Sequence, residues 1–368
     1  MPVFTLEALD ANSGDALLVH YGTAANPKLM VVDGGFSGTY RNRMKPRLAE
    51  LKRAAGDPES LPIDHVVVSH LDGDHITGVL KMFEELEDAH DQGLALPFKV
   101  EHLWHNSFAD ALDAIAGPTG LPVAPDDLAA ESDAVAASVP QARALRDIAD
   151  KLGLDGNDPF DGLVIGPEEV DLGHGLGALV VGPDSERLED LQEEWEEDVR
   201  DRVEAGDLGD AVVASFTDTS VPNLSSIVLL LRFDGHTMLL TGDGRGDHTL
   251  AGLQEAGVLD ANGNCHVDVL KVPHHGSDHN VDREYFERIT ADHYVISGNG
   301  HDDNPSAQTL EWITSTQGNR PYTIHLTYPH HREVLDADQA ANAGRRYQVV
   351  IRPTAQTSLR VDLGDPPP

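Results

Sequence analysis

Four side chains able to bind a metal fall within six residues, in His70-Leu71-Asp72-Gly73-Asp74-His75. Imidazole nitrogens and carboxylate oxygens at that density suit Zn²⁺, Mn²⁺ or Fe²⁺. A competing reading stands beside this one, because Asp-Gly-Asp is a common loop and Asp74 suits a helix cap. Two later segments weigh against it. Leu239-Leu240-Thr241-Gly242-Asp243-Gly244 places Asp243 between glycines that permit close backbone approach. Val272-Pro273-His274-His275-Gly276-Ser277 offers two adjacent imidazoles. Each segment alone reads as a turn. Three clusters of ligand-type residues, each at a predicted strand end, point to a metal centre.

The elements that must position these residues are legible in outline. Ile63–Ser69, with Val66, Val67 and Val68, reads as a buried strand running into His70. The segment after it puts Ile76, Val79, Leu80, Phe83 and Leu86 on one helical face. Upstream, Val3–Leu9 and Ala16–Tyr21 read as strands joined by the Asn12-Ser13-Gly14-Asp15 turn, and Leu29–Val32 as a third that ends in Asp33-Gly34-Gly35. Arg41–Arg53 is basic and helix-like. Downstream, Ser226–Phe233 and His236–Thr241 flank Asp234-Gly235, a strong hairpin signal. His266–Val272, His293–Ser297, Tyr322–Thr327, Tyr347–Arg352 and Ser358–Asp362 complete the strands. Residues 106–160, with a helical patch at Gln141–Leu152, and residues 185–222, with a very acidic helical run at Glu186–Glu204, read as insertions in one domain spanning residues 1–368. Strands, a helix, insertions, then strands and helices suit an α+β sandwich with helices outside two sheets.

Composition narrows the class. The chain has 368 residues, 40% of them apolar, enough for a large core. Cys265 is the single cysteine, which excludes internal disulfides and thiolate zinc fingers. The first residues lack a basic start and a long apolar run, so no signal peptide is expected, and no stretch approaches a membrane span. A reducing cytoplasm is the expected location. With 26 Lys+Arg against 63 Asp+Glu, the net charge is −37. Such a surface repels phosphate backbones and anionic membranes at long range, which argues against loose DNA binding. It does not exclude a phosphate ester at a site whose bound cations reverse the local field.

The order DGG, SHxDxDHxxG, LLTGD and LKVxHHGS resembles the metallo-β-lactamase superfamily. More narrowly it is similar to the hydrolase domain at the C-terminus of the ComEC competence channel and its free-standing relatives. The match runs over roughly residues 3–105 and 160–310. The resemblance implies a four-layer αββα sandwich with helical insertions. It implies that His70 and Asp72 hold a first metal, Asp74 and His75 a second, and that Asp243 bridges them. One of the His274–His275 pair would complete the second site, with His275 favoured as ligand and His274 as the substrate contact. Asp33 would be a buried carboxylate orienting the metal loop.

Two departures from the family pattern matter. Asp72 stands where the superfamily most often has His, which hardens the site toward Mn²⁺. Gly182 stands where another His is usual, so the cofactor is two divalent ions, Zn or Mn, or one only. His174 is the nearest alternative ligand, although a surface role is the ordinary one for such a residue. In the last motif, Asn304-Pro305-Ser306 replaces the usual His-Pro-Ser, leaving the final histidine shifted to His301 or lost. His325, His330 and His331 read as surface or core histidines.

The chemistry so implied is attack by a metal-activated water, with Asp72 or Asp74 orienting it and His274 protonating the leaving oxygen. Ser277 and Asn280 are candidates to hydrogen-bond a phosphate, or helix caps. Arg245 is a candidate anion contact, or a solvated arginine. The expected function is a phosphodiesterase or nuclease acting on a nucleotide or a nucleic-acid end. The alternatives are ester, thioester or lactam hydrolysis in the same fold, and a non-catalytic metal-binding module that docks a basic partner protein on its acidic insertion.

Overall fold

The computed structural model describes residues 2–106, 131–154, 156–160, 162–185 and 225–367. Residues 107–130 of the first expected insertion and nearly all of the second, including the acidic run at 186–204, lie outside the described residues. Among the described residues, fourteen strands form two mixed sheets. The first has the order β14-β1-β2-β3-β4-β5, from β14 (Ser358–Asp362), β1 (Pro2–Leu9), β2 (Leu17–Thr23), β3 (Asn26–Val32), β4 (Leu61–Val68) and β5 (Phe98–His105). The second runs β13-β12-β11-β10-β9-β8-β7-β6, from β6 (Glu168–Asp171), β7 (Gly177–Gly182), β8 (Val228–Phe233), β9 (His236–Leu240), β10 (Cys265–Lys271), β11 (Ile289–Ile296), β12 (Tyr322–Leu326) and β13 (Tyr347–Ile351).

Alternation within the strands decides the layers. In β8, Leu229 and Leu231 face one apolar cluster, while Val228 and Leu230 face another. The inner cluster, with Leu6, Tyr21, Val67, Trp104, Met238 and Val269, is the filling between the two sheets. A second covers the far face of the first sheet with α1 (Lys45–Ala54), α2 (Gly73–Asp91) and α3 (Glu131–Lys151). The third covers the far face of the second sheet with α4 (Gly246–Glu255), α5 (Arg283–Arg288), α6 (Ala307–Thr316) and α7 (Arg332–Ala341). Three apolar interfaces separate four layers. The fold is the αββα sandwich expected from the sequence.

The five apolar residues predicted on one face of α2 are all buried. The Asp234-Gly235 hairpin closes β8 onto β9 with both residues at positive φ, as a two-residue turn requires. The basic segment is helical from Lys45, after a short helical approach over Ser37–Thr39 and Tyr40–Met44. Strands β5 and β6 had no clear sequence signal. In β5, Lys99 and Glu101 sit among apolar residues, and β6 is four residues long.

Sheet direction places the site. In the first sheet β3, β4 and β5 are parallel; in the second, β9 to β13 are parallel. Asp33, His70, Asp243, the His274–His275 pair and Ser297 each stand just past the C-terminal end of one of these strands. Loops leaving strands at that edge converge on one crevice, the usual ligand position in sheets of this kind.

Candidate metal centre

Asp243 is the hub. Its Oδ2 lies 3.4 Å from His275 Nε2, 3.5 Å from His274 Nε2 and 3.9 Å from His70 Nε2, and its Oδ1 lies 3.5 Å from His75 Nε2. Asp74 closes one side, 3.8 Å from His75 Nε2 and 3.7 Å from His275 Nε2. Asp72 closes the other, 3.6 Å from His70 Nε2. His70, His75 and Asp243 form one grouping with metal-ligand spacing, and Asp74, His75 and His275 form another. The cluster expected from sequence is therefore brought together from three loops.

The tautomers are fixed from behind. His75 Nδ1 lies 2.9 Å from Asp33 Oδ2, and His275 Nδ1 lies 3.0 Å from the Ser297 carbonyl. His274 Nδ1 lies 2.6 Å from Asn280 Oδ1, whose amide donates in turn to the Asp243 carbonyl at 2.9 Å. Ser69 Oγ donates to Asp33 Oδ2, so it accepts from His70 Nδ1 at 3.1 Å. Every one of these partners is an acceptor, so each imidazole carries its proton on Nδ1. Four Nε2 lone pairs consequently face carboxylate oxygens. Nε2 of His70, His75 and His275, Oδ1 of Asp72 and Oδ1 of Asp243 are buried without a hydrogen-bond partner. Lone pairs opposed in this way are stable only with positive charge between them, so the donor set fits divalent cations.

The titration of the site shows the same field. Burial acts to raise the Asp243 pKa, but the imidazoles of His275, His274 and His75 hold it well below the carboxylate range. Burial acts to lower His275, yet Asp243 and Asp15 carry it up to about 10. His75 is raised by Asp243, Asp74 and Asp33 against its burial. Asp74 is pushed up by burial, with Asp243 and Asp72 adding to the shift. The carboxylates create a negative potential that protons or a metal ion must answer.

Tight local geometry holds the loops. Asp33, His274 and His275 have φ of 59°, 45° and 54°, left-handed values that cost energy in residues other than glycine. Gly34 and Gly78 bring the Asp33 loop against the first turns of α2, with Gly34 N–H donating to the His75 carbonyl and Gly78 N–H to the Gly35 carbonyl. A Cβ on Gly78 would lie 1.9 Å from the Gly34 carbonyl oxygen. No side chain fits there, and this contact is what sets Asp33 against His75.

Sequence reasoning missed two residues. Asp15 is buried beneath His275, with Oδ1 hydrogen-bonded by Ser297 Oγ and 3.6 Å from His275 Nδ1. Its Oδ2 is 2.7 Å from Nζ of Lys271, which is equally buried. Burial would raise the Asp15 pKa, but Lys271 and His275 depress it far below the ordinary value. In the sequence Asp15 reads only as part of a turn and Lys271 only as part of the LKVxHHGS motif. A charged residue inside an apolar strand end was the available signal.

The remaining candidates fall out as follows. Asn280 clamps His274 to Asp243 and is neither free for substrate nor a helix cap; Asp282 caps α5 by accepting from Tyr285 N–H. Ser277 is buried, with its Oγ accepting from His279 N–H at 3.3 Å. Arg245 is spent on Asp247 at 2.9 Å. Asp72, not Asp74, is the N-cap residue of α2, and it caps without a side-chain hydrogen bond. His301 stands exposed at the rim with Nδ1 2.9 Å from Asp302. A side chain at Gly182 would enter open space. His174 sits at the opposite end of β7, 3.7 Å from Asp64, so it cannot replace the ligand missing at Gly182.

No protein-family profile and no curated protein matches the chain. Among solved structures it is similar to a proposed metal-dependent hydrolase from Parabacteroides distasonis ATCC 8503, at 9% identity over 94% of this chain and 98% of that one, with a TM-score of 0.35. It is also similar to a metallo-β-lactamase from Hirschia baltica, at 10% identity over 69% and 81% of the two chains, with a TM-score of 0.27. The fold rests on the strand order and the three apolar interfaces, not on these superpositions. No helix among the described residues is long and apolar enough to cross a membrane.

Proposed function

We propose that the chain is a metal-dependent hydrolase that cleaves phosphodiesters with a metal-activated water. The observation that supports this most is the set of Nε2 lone pairs aimed at unpartnered buried carboxylate oxygens around Asp243. His70 and Asp72 would hold one ion and Asp74, His75 and His275 another, with Asp243 shared. Bound there, divalent cations would supply a hydroxide nucleophile near neutral pH and take up charge developing on the substrate. With Gly182 supplying no ligand, the His70 side keeps an open position for substrate, and either one or two ions would serve.

The protein groups divide the remaining work. Asp74 is the most exposed of the proposed ligands, ahead of Asp72, and it faces the cluster, where it can orient the attacking water. His274 is the most exposed imidazole of the four and is held by Asn280, which suits proton delivery to a leaving oxygen. Three carboxylates in the ligand set favour hard ions and phosphoryl oxygens over a lactam carbonyl. The resemblance to ComEC-type hydrolase domains points the same way. The charge of −37 favours a small nucleotide, or a nucleic-acid end delivered by a partner, over free duplex.

The test pairs the metal content of the purified protein with hydrolysis of bis-p-nitrophenyl phosphate by wild type and Asp243→Ala. Mn²⁺- or Zn²⁺-dependent turnover that the substitution abolishes, with metal lost at the centre, is expected. Metal-replete, folded protein that spares this diester but opens carboxylic esters or lactams would overturn the phosphodiester assignment. Failure on every substrate would favour the non-catalytic binding module.

A further inference from the structure

We propose a second, peripheral divalent-cation site, built by Asp303, His330 and His331 and independent of the Asp243 centre. Asp303 Oδ1 lies 3.0 Å from His330 Nε2 and 2.9 Å from His331 Nε2, and the three ligand atoms form a grouping with metal-ligand spacing. Tetrahedral zinc with ordinary bond lengths separates its ligands by about 3.3 Å, so a few tenths of an ångström of opening admits the ion.

The construction shares one feature with the buried centre, a carboxylate behind a candidate imidazole ligand, while here both Nε2 atoms are hydrogen-bonded to Asp303. His331 Nδ1 lies 3.2 Å from Glu333 Oε1, an acceptor that draws the proton to that nitrogen. His331 Nε2 then shares its proton with the Asp303 carboxylate, and a divalent cation entering between them would take that proton's place. A carboxylate behind a ligating imidazole is the common outer support of protein zinc sites. The ring of His330 is seated on the backbone of the facing loop: Gly300 has φ of 91°, and a Cβ there would fall 2.7 Å from His330 Nδ1. Asp302 adds a further carboxylate to the loop, and the acidic surface concentrates cations around it.

The site would tie together two segments that frame the crevice. The loop from Gly298 to Pro305 backs His275: a Cβ on Gly298 would touch His275 Cβ at 3.3 Å, and Gly276 packs on Pro305. His330 and His331 belong to the connection between β12 and α7. An ion bound to all three side chains clips this connection to the loop behind the histidine ligand. The site is therefore a structural or regulatory metal clip.

Zinc binding to the full chain, measured by titration calorimetry after chelator treatment, tests this. Wild type is expected to bind one equivalent more than His331→Ala or Asp303→Ala. Asp243→Ala, which disables the buried centre, is expected to keep that equivalent, so failure here and failure of the hydrolase reading are separable. Glu333→Gln leaves all three ligands and should weaken the same equivalent roughly tenfold or more. Circular dichroism confirms that each variant is folded. Equal stoichiometry in folded wild type and His331→Ala, or no zinc bound by folded Asp243→Ala, overturns the site.

Discussion

Lys271→Met tests the buried ion pair beneath the metal centre. The substitution keeps the length of the stem and removes the ammonium that stands 2.7 Å from Asp15 Oδ2, at positions with 0% and 1% of the side chains exposed. What remains is a buried carboxylate held by Ser297 Oγ, with His275 Nδ1 3.6 Å away and no ammonium beside it. Breaking such a pair from one side costs about 3–5 kcal/mol, because desolvation of the surviving charge is no longer offset. At about 2.1 cal/mol/K of unfolding entropy per residue, a chain of 368 residues loses roughly 4–6 °C of Tm for that cost. Asp15→Asn in the same background removes the stranded charge, so the double variant should recover about 2 kcal/mol or more of the loss. Calorimetric and chemical denaturation of the wild type, both single variants and the double variant give the coupling directly. If Lys271→Met costs less than about 1 kcal/mol, or the two substitutions simply add, the pair is not what holds this region and the argument fails.

Two further outcomes follow from the geometry. Gly78→Ala forces a methyl group into the Gly34 carbonyl and should cost about 3 kcal/mol or more while lowering metal uptake through the displaced Asp33; unchanged stability and uptake would mean that the close approach is not needed. Stability should also fall steadily on acidification, for two reasons with the same sign. Burial and the nearby His293 depress His325 to about 3, so the unfolded chain takes up its proton first, and stability is lost as pH falls from about 6.5. Glu7 is held at about 2: burial opposes this, but His20 and Arg47 outweigh it, and its contribution disappears as pH falls below about 4.5. His325→Leu should flatten the part of the Tm profile between about pH 6.5 and 4. An unaltered slope in that variant would remove His325 from the account.

The local parts of this protein are legible in the order of its residues. Alternation and hairpin chemistry located most strands, and the density of ligand types at 70–75, 243 and 274–275 marked the loops that meet at the centre. Those signals are legible because each depends on neighbours a few residues away. How the loops face one another depends on packing between segments far apart in the chain. Asp15 and Ser297 stand 282 residues apart in the chain, yet they meet under His275; no periodicity records such a contact. Asn280 reads from sequence as a cap or a substrate contact, and becomes a clamp because Asp243 and His274 leave adjacent strands beside it. The Asp303, His330 and His331 cluster was equally hidden, since its members come from two loops that parallel strands bring to the same edge. Ligand types are written in the sequence, but the direction of a lone pair depends on what lies behind each imidazole, and packing alone supplies that.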